Sequence, residues 1–238
     1  MKTIKVMTFN IQHGKDYIKK DINLKLMSDV IKEENADIVC LNEVRGEGPH
    51  PDYCNQTKII ADYLNYYGYF GQAIEFQNGK YGNAIISRYP FKKVETIAIP
   101  DPEIKDEDTL YETRCLIKAE FEDPNLVVLA THFGLANSEQ ENALNVVKEE
   151  ISKCHLPLVF MGDLNMKPDN KRIMEISRIL IDTATVFDGE KLTFPSIEPN
   201  RKIDYIFVSK DIEIDSADIP NKVASDHLPH TAVIKLNK

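Results

Sequence analysis

The chain has 238 residues, of which 42% are hydrophobic and 28% charged, and this composition excludes a protein that is mainly disordered. Asp and Glu number 38 against 29 Lys and Arg, so the formal net charge is −9. Broad electrostatic attraction to nucleic acid is therefore not expected, although a local basic patch is compatible with this charge. The sequence shows no signal-peptide core and no membrane-spanning stretch, so we expect one cytoplasmic domain over residues 1–238.

The first part of the chain predicts two strands around an amphipathic helix. The strands are the Val- and Ile-rich runs "IKVMTF" and "DIVCL". A helix is predicted from Leu24 to Glu34, with one apolar face formed by Leu24, Met27, Val30 and Ile31. The four cysteines form no CxxC pair, and Cys40 and Cys115 lie in apolar runs, so we expect both thiols to pack in the core.

The middle of the chain predicts two hairpins and a loop. Asn78 and Gly79 separate "AIEF" from "YGNAIIS", and "EDPN" separates "RCLIKAEF" from "LVVLATHF". Both connections carry turn-forming residues between strand-like runs. The acidic stretch between the hairpins, "PDPEIKDEDTLYE", predicts an exposed loop.

The last part of the chain alternates helical and strand patterns. A helix is predicted after Ser138, where "SEQE" offers a capping box, and another spans about Asp169 to Leu180. Strands are predicted at "PLVFMGD", "KIDYIFVS" and "HTAVIKL". Hairpins amid helices favour mixed sheets covered by helices, so the fold class is α/β (α+β).

Polar side chains occur at five strand ends, in places where a core would not select them. Because neighbouring strands present their ends along a common edge, these side chains are expected to meet in one site. The residues are Asn10, Glu43, His132, Asp163 with Asn165, and Asp204.

The carboxylates of this set predict a metal site. If Glu43, Asp163 and Asp204 converge with Asp226 of "SDHLPH", their like charges raise one another's pKa unless a cation neutralises them. The candidate ligands are oxygen atoms and include no cysteine. This donor type favours Mg²⁺ or Mn²⁺ over a structural zinc.

Seven motifs give the chain a family resemblance. They are, in order, "TFNIQHG", "LNEV", "YGNAIISR", "THFGL", "GDLN", "KIDYIFVS" and "SDHLPH", and they extend from residue 8 to residue 230. With them the chain resembles the endonuclease/exonuclease/phosphatase superfamily, the DNase-I-like metal-dependent phosphohydrolases. The resemblance implies a four-layer sandwich of two packed mixed sheets flanked by helices, with the site at one end.

The resemblance also implies roles for the site residues. Glu43 becomes the principal metal ligand, assisted by Asn10, and Asp226 helps to hold the metal or to orient the nucleophile. His227 contacts the scissile phosphate and is hydrogen-bonded by Asp204.

Three further residues gain roles from the same resemblance. Asp163 orients or deprotonates the attacking water, Asn165 holds a phosphate oxygen, and His132 contacts the phosphate or protonates the leaving oxygen. Whether Asp163 or His227 is the general base stays open. A metal ion, an acid–base pair and hydrogen-bond donors are what phosphate-ester hydrolysis requires.

Three more residues are weaker candidates for binding the substrate. His13 follows Asn10 closely and lines the pocket in this interpretation. Asn83 of "YGNAIIS" either touches the site or serves as a turn residue beside Gly82. Arg114 binds a substrate phosphate or forms a surface ion pair.

The substrate is expected to be a small or soluble phosphoester or phosphodiester. "THFGL" resembles the DNase-I-like, sphingomyelinase-like and phosphoinositide-phosphatase-like branches more than the exonuclease-III-like one. The chain has no tryptophan and an acidic net charge, which disfavours a lesion-reading or strand-binding enzyme. A Mg²⁺-dependent nuclease acting on DNA or RNA and a sphingomyelinase-like phosphodiesterase remain the alternatives. A non-enzymatic binding protein is disfavoured because it would leave the carboxylates without a purpose.

Overall fold

The computed structural model describes residues 1–50 and 52–236, which form two mixed sheets of six strands each. The first sheet has the order β11 (Glu213–Asp218), β12 (His230–Leu236), β1 (Lys2–Asn10), β2 (Ile38–Arg45), β4 (Gly79–Ser87), β3 (Tyr67–Phe76). The second has the order β5 (Lys93–Ala98), β6 (Cys115–Phe121), β7 (Leu126–His132), β8 (Leu158–Asp163), β10 (Asp204–Val208), β9 (Ile181–Asp182).

Each sheet contains one central parallel pair among antiparallel neighbours. In the first sheet β1 runs parallel to β2, and in the second β7 runs parallel to β8. The carboxyl ends of a parallel pair lie at the same edge of a sheet. This topology brings the polar ends of "VMTF" and "VCLN" together, and likewise those of "VVLAT" and "VFMG".

The central strands carry apolar residues on both faces. Each sheet therefore packs against the other sheet with one face and against helices with the other. Val6 of β1 and Val128 of β7 lie in the core between the sheets, whereas Met7 and Leu129 face outward. Helices α1 (Leu24–Glu34) and α2 (Gln56–Leu64) cover the outer face of the first sheet. Helices α3 (Asn137–Lys153) and α4 (Lys171–Ile179) cover the second sheet. The predicted four-layer sandwich is confirmed.

Most of the predicted elements are confirmed, with two kinds of difference. Helix α1 has the predicted bounds, both hairpins form, and Cys40 and Cys115 are buried. The first difference is that helix α2 and strands β5, β9 and β11 were not predicted. Within the described residues, no helix is long and apolar enough to cross a membrane.

The cap of α3 is the second difference. The predicted cap at Ser138 is wrong, since Ser138 already belongs to the helix. Glu107, from the acidic loop, accepts hydrogen bonds from the backbone N–H groups of Asn137 and Ser138 at 2.7 and 2.9 Å. A carboxylate at a helix N-terminus satisfies free N–H groups and favours the helix dipole. These bonds hold the pKa of Glu107 at about 2. The acidic loop is thereby tied to the helix.

Candidate active site

The register of the central strands places the predicted polar residues side by side. In the second sheet His132 of β7 lies opposite Asp163 of β8, and Asp204 of β10 lies opposite the same Asp163. In the first sheet Asn10 lies opposite Asn42. The strand-end pattern read from the sequence is therefore a spatial cluster.

Two asparagine side chains join the sheets beneath this cluster. Asn42 Nδ2 donates to the backbone carbonyl of Thr131 at 2.9 Å, and Asn42 Oδ1 accepts from the backbone N–H of Asp163 at 2.9 Å. Asn10 Nδ2 donates to Asp163 Oδ2 at 3.1 Å and to Glu43 Oε1 at 2.9 Å. Both asparagines are fully buried, so these bonds are shielded from water. They fix the spacing between the two halves of the site.

A bulge in β2 turns Glu43 toward the site. The register with β4 shifts between Leu41 and Val44, and Glu43 has a φ of 57°. A non-glycine residue in this left-handed region is uncommon and marks a locally strained backbone. The Glu43 carboxylate accepts from Asn10 and, at 3.0 Å, from the hydroxyl of Tyr81. The strain is thus used to present and hold one carboxylate.

Asp226 reaches the same pocket from the loop before β12. Gln12 Nε2 donates to Asp226 Oδ2 at 3.0 Å, and the Ser225 hydroxyl donates to Oδ1 at 3.0 Å. The loop is anchored because the backbone N–H of Ser196 donates to the Asp226 carbonyl at 2.7 Å. Asp226 and Glu43 both line a pocket of about 340 Å³, called the central pocket below. Burial, together with the charge of Asp226, raises the pKa of Glu43.

His227 lies between two buried carboxylates at the base of the central pocket. Its Nδ1 is 2.9 Å from Asp204 Oδ2, and its Nε2 is 3.6 Å from Asp163 Oδ2. Burial alone lowers the pKa of His227, but the charges of Asp204 and Asp163 outweigh it and raise the pKa to about 10. Burial and the charge of Asp204 raise the pKa of Asp163 well above its ordinary value. His227 is accordingly a cation at neutral pH.

His132 is held in the opposite protonation state. Burial, the nearby Arg114 and the charge of His227 lower its pKa well below the ordinary value, so the ring is neutral. Arg114 Nη1 lies 3.3 Å from His132 Nδ1, and a guanidinium can only donate. The other ring nitrogen, Nε2, lies 3.0 Å from Asn165 Nδ2, which can also only donate, and 3.5 Å from Asp163 Oδ2. The neutral ring therefore faces a donor at each nitrogen.

The central pocket contains most, but not all, of the predicted site. It is lined by the predicted Glu43, Arg114, His132, Asp163, Asn165, Asp226 and His227. Asn10 and Asp204 are fully buried beneath it. The orientation of Asn10 directs its amide nitrogen, which does not ligate metals, toward Glu43, while its Oδ1 accepts from the backbone N–H of Gln12 at 3.0 Å.

Two further predicted residues, besides Asn10 and Asp204, are not among those lining the pocket. His13 has a φ of 50° in a tight turn, and the neighbouring Gln12, not His13, extends to Asp226. Asn83 is 2% exposed, and its Oδ1 accepts from Asn42 Nδ2 at 2.9 Å. Asn83 supports the asparagine that joins the sheets and does not line the pocket.

Several residues of the site were not found from the sequence. Asn42 and Gln12 lie inside the motifs "LNEV" and "TFNIQHG", but only other residues of these motifs were predicted to belong to the site. Arg201 directly precedes the motif "KIDYIFVS", and no other feature of the sequence indicates that it belongs to the site. Tyr81 and Leu135 likewise lie inside the motifs "YGNAIISR" and "THFGL", whereas Glu112 and Phe194 reach the site through tertiary contacts that no local pattern indicates.

Comparison with known proteins identifies the family. A model of the Endonuclease/Exonuclease/phosphatase family matches residues 7–227. The Escherichia coli protein YbhP is 25% identical over 248 residues, covering 98% of this chain and 97% of that protein. An endonuclease/exonuclease/phosphatase from Beutenbergia cavernae has a TM-score of 0.81 at 22% identity, covering 100% of this chain and 72% of that one. A Bacteroides thetaiotaomicron mannosyl-6-phosphatase has a TM-score of 0.77 at 16% identity, covering 98% of this chain and 100% of that one.

The family model spans the chain from within β1 to the "SDHLPH" loop, and therefore includes every later strand except β12 and every residue that lines the central pocket. The solved structures share the fold over nearly the whole chain. These matches agree with the seven motifs. The chain belongs to the endonuclease/exonuclease/phosphatase family.

Proposed function

We propose that this protein is a divalent-metal-dependent hydrolase of phosphoester or phosphodiester bonds in small or soluble substrates. The observation that carries the proposal is one pocket lined by two carboxylates, a cationic histidine, a neutral histidine and a buried carboxylate. The residues are Glu43, Asp226, His227, His132 and Asp163. This set supplies a metal site, hydrogen-bond donors for a phosphate and a base.

Glu43 and Asp226 are the residues that would hold Mg²⁺ or Mn²⁺. Their carboxylates line the same pocket, and the negative charge of Asp226 raises the pKa of Glu43. A bound cation would relieve this repulsion. Both are oxygen donors, and Mg²⁺ is held in proteins by one or two carboxylates with waters completing its shell. When bound there, the ion neutralises charge on the phosphate.

A second group of possible ligands fits a metal less well. Oxygen and nitrogen atoms of Asp163, Asp204 and His227 lie within 4.8 Å of one another. However, the Nδ1 atom of His227 is already hydrogen-bonded to Asp204, and its raised pKa keeps the ring protonated. A protonated imidazole has no lone pair for a metal. We assign Asp163 and His227 to proton transfer and phosphate contact, and Asp204 to holding His227.

The protonation states separate the roles of the catalytic groups. Asp163 serves as the general base for the attacking water, because its raised pKa makes it a stronger base than an ordinary carboxylate. His227 is protonated and donates to a phosphate oxygen. His132 and the amide of Asn165 line the same pocket and are the other proposed contacts of this phosphate.

The size and charge of the pocket support a small substrate. About 340 Å³ accommodates a phosphate with a small attached group, and the net charge of −9 disfavours long polyanions. The same fold serves a mannosyl-6-phosphatase, which shows that it is compatible with a small phosphate ester as substrate.

The test is a substrate panel with purified protein and Mg²⁺ or Mn²⁺. We expect turnover of p-nitrophenyl phosphate or bis-p-nitrophenyl phosphate, no cleavage of plasmid DNA, RNA or a choline phospholipid, and complete loss of turnover with EDTA. Faster cleavage of plasmid than of the small esters would replace the proposal with a nuclease. Turnover that persists in EDTA would contradict metal dependence.

The metal site gives a prediction that does not depend on activity. Mg²⁺ binding to the folded protein alone raises its melting temperature, by about 5 °C at a concentration of about 100 times Kd. Glu43→Gln removes most of this shift, since one ligand charge is lost. Glu47→Gln, at an exposed position on the same segment, retains it. Differential scanning calorimetry with and without Mg²⁺ measures both. An equal shift in the two variants would remove Glu43 from the metal site.

A further inference from the structure

A second pocket lies beside the central pocket and is basic. It has a volume of about 440 Å³, and its cationic residues are Lys167, Lys191, Arg201 and Lys202, against two carboxylates, Asp169 and Glu190. The remainder of its lining includes the apolar side chains of Phe187 and Leu192. In a chain with a net charge of −9, such a concentration of cations is a local exception. We call it the basic pocket.

The basic pocket is built on the same two segments as the central pocket. Arg201 lines both pockets, and the neighbouring Lys202 and Ile203 line one each. The loop after β8 does the same, because Asn165 lines the central pocket and Lys167, two residues later, lines the basic pocket. A ligand that extends out of the central pocket along these segments reaches the second set of cations.

Two of the four cations have no carboxylate partner within the described residues. Lys191 pairs with Asp218, and Lys202 pairs with Asp182 at 3.1 Å. Lys167 and Arg201, by contrast, are exposed and form no salt bridge in that part of the chain.

The groups that hold Arg201 in place are neutral and leave its positive charge uncompensated. Its guanidinium lies 5.0 Å from the centre of the Phe194 ring, and its Nε donates to Asn200 Oδ1 at 3.3 Å. The backbone N–H groups of Arg201 and Phe194 each donate to the carbonyl of the other at 3.0 Å. An arginine ordered by its surroundings loses less conformational entropy when it binds an anion.

We propose that the basic pocket binds a second phosphate group of the substrate, so that the natural substrate is a small molecule with two phosphate groups. One phosphate occupies the central pocket and is cleaved there. The other lies in the basic pocket, where Lys167 and Arg201 bind it, and the body of the molecule passes Arg201, which lines both pockets. Because the first phosphate must enter the central pocket, this proposal rests on the proposed hydrolase function.

The experiment measures binding in the absence of turnover. Asp163→Asn protein, with Mg²⁺, is titrated by calorimetry with butane-, hexane- and octanediol bisphosphates and with the alkyl monophosphates of the same lengths. We expect one bisphosphate to bind at least tenfold more tightly than its monophosphate, well above the twofold statistical advantage of two equivalent ends. The series of lengths is needed because the span between the pockets selects one of them.

Charge reversal then locates the second phosphate. Adding Lys167→Glu abolishes the advantage of the bisphosphate, whereas Lys171→Glu, an exposed lysine outside the pocket, retains it. An advantage below tenfold at every length, or one that survives Lys167→Glu, overturns the proposal.

A separate turnover assay of wild-type protein distinguishes the two proposals. If wild type hydrolyses neither class of compound while the binding advantage and its loss in Lys167→Glu are observed, the hydrolase function fails and the basic pocket stands. If both classes are hydrolysed and bound equally well, the hydrolase function stands and the basic pocket fails.

Discussion

Replacing Asp163 with asparagine is expected to lower kcat by about 10³-fold, since a general base contributes roughly 10²- to 10⁴-fold to catalysis. Asp163 is 1% exposed, and within residues 1–50 and 52–236 it is the only carboxylate that lies within 4.0 Å of both His132 and His227. The measurement is kcat on the small ester that wild type hydrolyses, at saturating Mg²⁺.

The same variant is expected to keep its fold. Removing a buried charge with a raised pKa favours the folded state, whereas the hydrogen bond from Asn10 to the substituted oxygen is lost. The two effects oppose each other, so we expect the melting temperature in EDTA to stay within a few degrees of wild type. Asp106→Asn, at an exposed aspartate without side-chain bonds in the described residues, is the control for both measurements. Asp163→Asn with near-normal kcat would exclude Asp163 as the base.

A double-mutant cycle on His227 and Asp204 is expected to be strongly non-additive. Asp204 is fully buried, and within the described residues its Oδ2 forms a hydrogen bond only with the ring of His227, while its Oδ1 has no hydrogen-bond partner. We therefore propose that Asp204 acts through His227 as a positioning residue. We expect His227→Ala to reduce kcat by about 10³-fold, and the double variant with Asp204→Asn to lose no more than that.

The stability of the same variants gives an independent readout. His227→Ala leaves Asp204 as a buried carboxylate without a cation, which costs about 3–5 kcal/mol in the free energy of unfolding. Asp204→Asn in the same chain removes the uncompensated charge and restores part of that loss. Urea denaturation at pH 7 measures both variants.

The pH of this measurement follows from the sign of the pKa shift. The pKa of His227 is raised in the folded state, so the pairing stabilises the fold fully below the ordinary histidine pKa and is lost as the pH rises through about 10. Neutral pH lies within the stabilised range. A double variant less stable than His227→Ala would show that the two residues do not form a charge pair.

Local sequence patterns were sufficient for the parts of the fold that local interactions decide. Helix α1 begins at the predicted residue because the Asn23 side chain caps it, accepting from the backbone N–H of Leu26 at 3.0 Å. The predicted hairpin forms, but its two turn residues are Gln77 and Asn78, one position before the predicted Asn78–Gly79, and both adopt the positive φ values that such a turn requires. Polar residues at strand ends could be identified because Val- and Ile-rich runs identified the strands.

What the sequence did not predict depends on contacts between distant segments. Glu139 of "SEQE" accepts from the backbone N–H of Ala136 at 3.2 Å. The N–H groups of Asn137 and Ser138, however, are capped by Glu107, thirty residues upstream of the helix, which no local pattern indicates. The bulge at Glu43 becomes visible only when β2 is paired with β4. Arg201 lines both pockets, and this arrangement exists only in the folded chain.

In the motif "GDLN", the packing of the strands explains why residue 162 is a glycine. Gly162 has a φ of 151°, and a Cβ atom there would lie 1.9 Å from the Thr131 carbonyl oxygen. The close approach of β7 and β8 is what sets His132 next to Asp163. The "GD" of the motif thus combines a spacing requirement with a chemical one.

The two side chains that join the sheets, those of Asn10 and Asn42, couple the geometry of the proposed active site to the relative position of the two sheets. The proposed metal ligand Glu43 belongs to one sheet and the proposed base Asp163 to the other, and Asn10 contacts both. Sliding of the sheets by a fraction of an ångström would misalign nucleophile and phosphate without unfolding anything. Repacking far from the pocket, at Val6 or Val128 for example, therefore has a direct route to the reaction rate.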